Sequence, residues 1–173
     1  EGEGIAVFRG SEDDVLARYH GAAAAGGGGP ETPIVRVTGD DILPDPHLID
    51  AALDLLAAFR GRIDCVFTAD DGHFPYGVYV ECYTFRALGQ AFVEASAPED
   101  REHVTPYIRR NADKFPRILI SSGEKMDCQP LSIDTPEDLE RIGRIIGILK
   151  AEASPPYTVS DIMNAAGKME KTA

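Results

Sequence analysis

Asp40 and Asp134 are the residues whose type and context point most directly to chemistry. Asp40 closes the run Val35-Arg36-Val37-Thr38-Gly39-Asp40, and Asp134 closes Leu131-Ser132-Ile133-Asp134. Each acid follows a β-prone stretch and precedes a helical one. In open α/β sheets, ligands collect at the carboxyl ends of the strands. Two carboxylates that meet there can hold one Mg²⁺, which takes one or two protein carboxylates and completes its shell with water and phosphate oxygens. An aspartate after a strand also serves as a turn former or a helix cap, so spacing leaves both readings open. Gly39 lets a ligand approach the backbone closely, or it simply makes the turn tight.

Three further groups are candidates. Glu81 follows a loop containing Gly77, and its carboxylate can accept hydrogen bonds from sugar hydroxyls or sit at an ordinary surface. Arg101-Glu102-His103-Val104-Thr105-Pro106-Tyr107 is a dense polar cluster. Arg101 can clamp a carboxylate or phosphate bidentately, or pair with a nearby acid. His103 can act as a base, touch a substrate or make a structural hydrogen bond.

Two other features are excluded as phosphate sites. Helix N-termini attract anions, but Glu12, Asp13 and Asp14 fill the first turn after Ser11 and repel them. The four glycines at 26–29 follow a helix instead of a strand, and no Gly-Lys-Ser/Thr comes after them.

The elements that must position these residues alternate between strand and helix. The pattern predicts a short buried strand at 5–8 and a helix from Ser11 with Val15, Leu16 and Tyr19 on one face, ended by the glycines at 26–29. A strand at 33–37 follows. A helix from Pro46 turns Leu48, Ala52, Leu55, Leu56 and Phe59 inward. A third strand at 63–67 leads through a polar loop at 68–77 to a β-prone run at 78–82. Helices are expected at 84–95 and 99–111, and strands at 115–120 and 131–133. Thr135-Pro136-Glu137-Asp138 reads as a helix start, with a cap, a proline at the first position and acids in the first turn. Ser154-Pro155-Pro156 breaks that helix. Residues 1–153 read as one α/β domain, and 154–173 as a tail with at most one more short helix. Alternating strands and helices imply a mostly parallel sheet covered on both faces, with antiparallel or mixed elements from the runs at 78–82 and 115–120.

Composition narrows the partners. The chain has 173 residues and is 43% hydrophobic, enough for one domain with a packed core. A net charge of −12 argues against nucleic acid and against an anionic membrane surface. A nucleotide stays admissible, because a metal ion between carboxylates and phosphates reverses the local field. Cys65, Cys82 and Cys128 are too scattered for a zinc or redox motif and read as ordinary thiols of a reducing compartment. With no signal peptide and no bilayer-length apolar run, the expected location is the cytoplasm.

Four motifs in order carry a resemblance. Val7-Phe8-Arg9-Gly10-Ser11-Glu12-Asp13-Asp14-Val15-Leu16, Thr38-Gly39-Asp40, Arg101-Glu102-His103-Val104-Thr105-Pro106-Tyr107-Ile108 and Ile133-Asp134-Thr135-Pro136-Glu137-Asp138-Leu139 resemble the spore coat polysaccharide biosynthesis branch of the cytidylyltransferases. That branch is similar to the acylneuraminate and CMP-KDO synthetases. The resemblance implies a nucleotide-diphospho-sugar transferase fold, a Rossmann-like three-layer α/β sandwich of the glycosyltransferase-A kind. It implies transfer of CMP from CTP to a sugar, often an acidic one, with Mg²⁺ held by Asp40 and Asp134 as the catalytic pair. Gly39, Gly77, Glu81, Arg101 and His103 are the substrate-binding positions it suggests.

The sequence departs from that pattern in three places. No strand with a Gly-, Arg- and Lys-containing loop precedes Glu1. The expectation is therefore an N-terminally truncated domain, inactive alone, whose uncovered sheet edge invites a homodimer. Pro75-Tyr76-Gly77 replaces the family's Pro-Asp-Gly, and Tyr79 stands where an acid is usual. Gln129 and Pro130 stand where a basic residue is usual. The alternatives are a catalytically inactive sugar- or protein-binding relative, and a glycosyltransferase of related fold. The latter needs an Asp-x-Asp motif, which neither aspartate provides.

Overall fold

A computed structural model describes residues 4–70, 72–123, 125–126 and 129–170. Cys128 lies outside the described residues. Along the chain the elements are α1 (Val15–Ala25), β1 (Pro33–Arg36), α2 (Pro46–Ala58), β2 (Cys65–Thr68), β3 (Glu81–Thr84), α3 (Phe85–Glu94), α4 (Pro98–His103), α5 (Pro106–Arg110), β4 (Arg117–Ile120), α6 (Pro136–Glu152) and α7 (Val159–Glu170).

The strands form one sheet in the order β1-β3-β2-β4. Cys65 N–H donates to the Pro116 carbonyl at 3.3 Å and Ala69 N–H to Ile120 at 2.8 Å, so β2 and β4 run parallel. Thr84 N–H donates to Asp64 at 2.9 Å while Thr68 N–H donates to Val80 at 3.1 Å, so β3 runs against β2. Phe85 N–H donates to Thr32 at 2.8 Å, and Arg36 meets Glu81 at the far end, so β3 also opposes β1. Three strands share one direction and β3 reverses it. The class is α/β with a mixed, mostly parallel sheet. The β-prone run at 78–82 becomes regular strand at Glu81, with Val80 already bonded to Thr68, and the run at 115–120 yields the parallel strand β4.

The chain forms two compact units, one built from residues up to 34, 56–65 and 83–118, the other from 35–55, 66–82 and 119 onward. In the first, the expected strand at 5–8 is absent. Ile5 and Val7 are 74% and 63% exposed, and the segment is irregular. A strand exists by pairing, and no described strand pairs with this one. Phe8 instead lays its ring on α1, so close to Gly21 that a Cβ there would be 2.7 Å away. Helix α1 starts later than expected: Asp14 is its cap, accepting from Ala17 N–H at 2.9 Å, and Ser11 Oγ accepts from Asp14 N–H at 3.0 Å. Thr84 caps α3 through Ala87 N–H at 3.1 Å, and Ala87, Leu88 and Ala91 are buried.

The single helix expected at 99–111 is two. Val104 has φ 71 and ψ −55, and Thr105 N–H donates to the His103 carbonyl at 2.8 Å. That is a γ-turn of the strained hand. Pro106, which has no N–H to offer a continuing helix, then opens α5. The strain is held in place by burial, since the Val104 side chain is fully buried.

In the second unit, α6 begins as the sequence indicates. Thr135 Oγ1 accepts from Asp138 N–H at 3.2 Å and Asp138 Oδ2 accepts from Thr135 N–H at 2.9 Å, a reciprocal capping box. Its stripe of Ile142, Ile145 and Leu149 packs with Val159, Ile162, Ala165 and Ala166 of α7 and with Leu43, Val78 and Leu131. The tail after Ser154 thus contributes a helix to the core. Asp45, buried, ties two helix starts together: Oδ1 accepts from His47 N–H at 2.8 Å and Oδ2 from Val159 N–H at 2.8 Å.

The expected strand at 131–133 is not formed. Leu131 N–H donates to Tyr76 at 2.7 Å and Ile133 N–H donates to Asp40 at 3.0 Å. Bonds divided between two unrelated segments do not make a ladder with either. Among the described residues, no helix is long and apolar enough to cross a membrane.

Candidate functional site

That divided pairing assembles the site. The segment at 131–134 is pinned on one side to the loop carrying Tyr76 and Gly77, and on the other to the loop carrying Gly39 and Asp40. Asp40 and Asp134 therefore lie on adjoining stretches of backbone, both exposed. Ser132 Oγ donates to Asp134 Oδ2 at 2.9 Å and orients that carboxylate. Gly77 is buried at φ +93, and a Cβ there would sit 2.6 Å from the Leu131 carbonyl carbon. Glycine here permits close backbone contact with the neighbouring loop. Gly39 differs: a Cβ there would meet nothing within 4 Å.

Asp41, which the sequence reading passed over, is the half-buried member of the group. Thr38 Oγ1 donates to its Oδ2 at 2.6 Å, while Oδ1 is buried with no partner among the described residues. Burial, reinforced by the charges of Asp40 and Asp134, pushes the Asp41 carboxyl above the usual range, against the Thr38 hydrogen bond and the charge of Arg36. The adjacent pair Asp40-Asp41 was visible in the sequence. What it did not reveal was that the chain turns one acid outward and the other in.

The aromatic pair nearby was visible only as a departure from the family pattern. Tyr76 and Tyr79 meet edge to face, with centroids 5.3 Å apart. Tyr79 is half-buried, and burial raises its phenol well above the usual range, so it stays protonated and can donate.

Glu81 is buried at the start of β3 and bound to Arg36 of β1 at 2.7 Å. Its carboxylate is engaged by an arginine instead of facing solvent. Arg101 and His103 belong to the other unit. Arg101 donates to the Phe92 carbonyl at 2.7 Å, lies over the Phe92 ring at 5.0 Å and pairs with Asp14 at 2.5 Å. These contacts occupy the guanidinium in fastening α4 to α1 and α3. The groove beside it is lined by Glu12, Asp13, Asp14, Val15, Pro98, Arg101 and Glu102. Four carboxylates there outnumber one engaged arginine, which suits a phosphate poorly. His103 is exposed at the end of α4.

Among the described residues, no group of three or more His, Cys, Asp or Glu side chains is poised to hold a metal. Two hard oxygen donors beside an unsatisfied carboxylate oxygen still suit Mg²⁺, which keeps most of its shell as water and phosphate. Cys65 and Cys82 are buried thiols, and burial pushes Cys82 up to about 12, so it is inert as a nucleophile.

The same architecture recurs in a solved structure, a cytidylyltransferase from Leptospira borgpetersenii serovar Hardjo-bovis. The two superpose with a TM-score of 0.85 at 29% identity, over 97% of this chain and 68% of the other. The chain has a cytidylyltransferase fold. Two curated proteins are similar in sequence. An uncharacterized protein of Methanocaldococcus jannaschii is 37% identical over 139 residues, 79% of this chain and 54% of the relative. The spore coat polysaccharide biosynthesis protein SpsF of Bacillus subtilis is 29% identical over 164 residues, 93% of this chain and 64% of SpsF. The chain thus spans about half to two thirds of the length of these relatives. No family model matches it.

Proposed function

We propose that the protein carrying this chain is a cytidylyltransferase of the spore coat polysaccharide kind, transferring CMP from CTP to a sugar for surface polysaccharide synthesis. The observation that carries this reading is the superposition of nearly all of this chain on about two thirds of a cytidylyltransferase, supported by the similarity to SpsF. In this reaction a sugar hydroxyl oxygen forms a bond to the α-phosphorus of CTP. The bond from that phosphorus to the bridging oxygen breaks, pyrophosphate leaves with the electron pair, and the hydroxyl proton passes to solvent or a nearby base.

In this reading Asp40 and Asp134 hold Mg²⁺. When bound, the ion offsets charge on the phosphate oxygens and the departing pyrophosphate. The chain's own residues supply the positioning. The Ile133–Asp40 backbone bond fixes the spacing of the two aspartate segments, and Ser132 orients Asp134. Asp41, the next residue after Asp40, adds a half-buried carboxylate whose Oδ1 has no partner among the described residues. Arg101 acts through the fold, holding α4 in place.

The test is Mg²⁺-dependent pyrophosphate release by the intact protein, measured with CTP, UTP, ATP and GTP against a panel of acceptor sugars. The reading requires release that depends on acceptor and metal and is fastest with CTP. Acceptor-independent release, or release with no preference for CTP, would count against it.

A further inference from the structure

Arg141 and Arg144 stand about one turn apart on α6 and are placed differently. The Arg144 side chain is 61% exposed and pairs with Glu140, an ordinary surface contact. The Arg141 side chain is 16% exposed. Its Nε–H is buried and meets no acceptor among the described residues. Burying an arginine with one donor unsatisfied costs stability, so the contacts the group does make must hold it there.

Those contacts grip both ends of one short segment. Arg141 Nη2 donates to the Pro130 carbonyl at 2.6 Å. Nη1 pairs with Asp138 Oδ1 at 2.5 Å. The other oxygen of that carboxylate, Oδ2, accepts from the Asp134 N–H at 3.2 Å. Arg141 thus holds residue 130 directly and residue 134 through Asp138. Between these two points Leu131 N–H reaches Tyr76 and Ile133 N–H reaches Asp40. The segment has no strand ladder to fix it, so side chains supply what a ladder would. The planar fork of one guanidinium serves both ends at a set spacing, which a lysine cannot do.

We infer that Arg141 is a positioning residue for Asp134: it fixes the stretch from Pro130 to Asp134 against α6 and so sets where the Asp134 carboxylate stands relative to Asp40. The inference rests on the cation reading of those two aspartates and adds to it a residue outside the acidic group. Arg141 has no part in the bond changes, and its charge bars it from being a ligand. That charge gives the test its sign. A guanidinium near a cation site opposes cation binding by its charge alone, whereas holding Asp134 in place favours it.

Two variants separate these effects. Arg141→Met keeps the apolar stem and removes both fork and charge, while Arg141→Lys removes the fork and keeps the charge. Backbone amide exchange, followed by NMR on the metal-free protein, reads the segment itself. Exchange at Leu131 and Ile133 should quicken about tenfold or more in both variants, the scale of one lost hydrogen bond to a charged group. The amides of Ile145 and Leu149, further along α6, should keep their wild-type rates. Mn²⁺ affinity should fall roughly tenfold in both variants. The inference is overturned if Leu131 and Ile133 exchange at wild-type rates in Arg141→Met, or if exchange quickens equally along α6. It is also overturned if Mn²⁺ affinity is unchanged or rises in Arg141→Met, or if Arg141→Lys binds Mn²⁺ as the wild type does. Faster exchange at the two amides, in a protein whose wild type takes up no Mn²⁺, removes the cation reading and leaves Arg141 as the brace of the segment. Mn²⁺ binding that is indifferent to Arg141 does the reverse.

Discussion

Ile133 donates its backbone N–H to the carbonyl of Asp40 at 3.0 Å. One residue further on is Asp134, so a single main-chain bond brings together two acids that lie far apart in sequence. Neither side chain takes part. The pairing therefore survives substitution of either carboxylate, which makes the acids separable from the fold in experiment.

The second bond of that segment, from Leu131 to Tyr76, depends on Gly77. Gly77→Ala would place a methyl group 2.6 Å from the Leu131 carbonyl carbon at φ +93. Crowding and left-handed strain together should cost about 2–4 kcal/mol, read as a lower urea midpoint. Gly39→Ala, with open space around it, should leave the midpoint unchanged.

Helix α6 gives a test of the capping box. Thr135→Ala should destabilise the protein by about 1 kcal/mol. The Asp138 carboxyl is held at about 2, first by Thr135 and then by Arg141. A depressed carboxyl stabilises the folded state above its unfolded pKa, and that contribution disappears as pH falls through the folded value. Acid titration should therefore show the Asp138 contribution intact above about pH 4 and lost toward about 2. In Asp138→Asn the dependence across that window should flatten.

Arg101 is expected to be structural. Arg101→Ala and Asp14→Ala should each lower stability by about 1–2 kcal/mol, and the double variant should lose less than their sum. Arg101→Lys should not restore stability fully, because a lysine has no planar fork to reach Asp14 and the Phe92 carbonyl together. If α4 touched substrate through Arg101, Michaelis constants would change more than stability does.

How much of this was legible in the sequence depended on where each element gets its stabilisation. Helices α2, α3 and α6 carry their own signals in Pro46, Thr84 and the Thr135-to-Asp138 box, and the structure has them within a residue or two of expectation. Strands depend on partners, which the sequence does not display. Residues 5–8 and 131–133 have the right composition, yet the first pairs with no described strand and the second divides its bonds between two loops. The turn at Val104 was hidden because a β-branched residue is a poor guess for positive φ. At the site, Asp40 and Asp134 stood out by context. Asp41 did not, because its distinction is burial, and the engagement of Glu81 by Arg36 is a cross-strand fact invisible to local pattern.

The central claim is that Asp40 and Asp134 share one divalent cation. Electron paramagnetic resonance titration with Mn²⁺, which takes the same oxygen donors as Mg²⁺, tests it on wild type, Asp40→Asn, Asp134→Asn and the double variant. The account predicts one ion per chain, displaced by Mg²⁺, with affinity falling at least roughly tenfold in either single variant and little further in the double. Unchanged affinity in either single variant, or two independent losses that add, would contradict it.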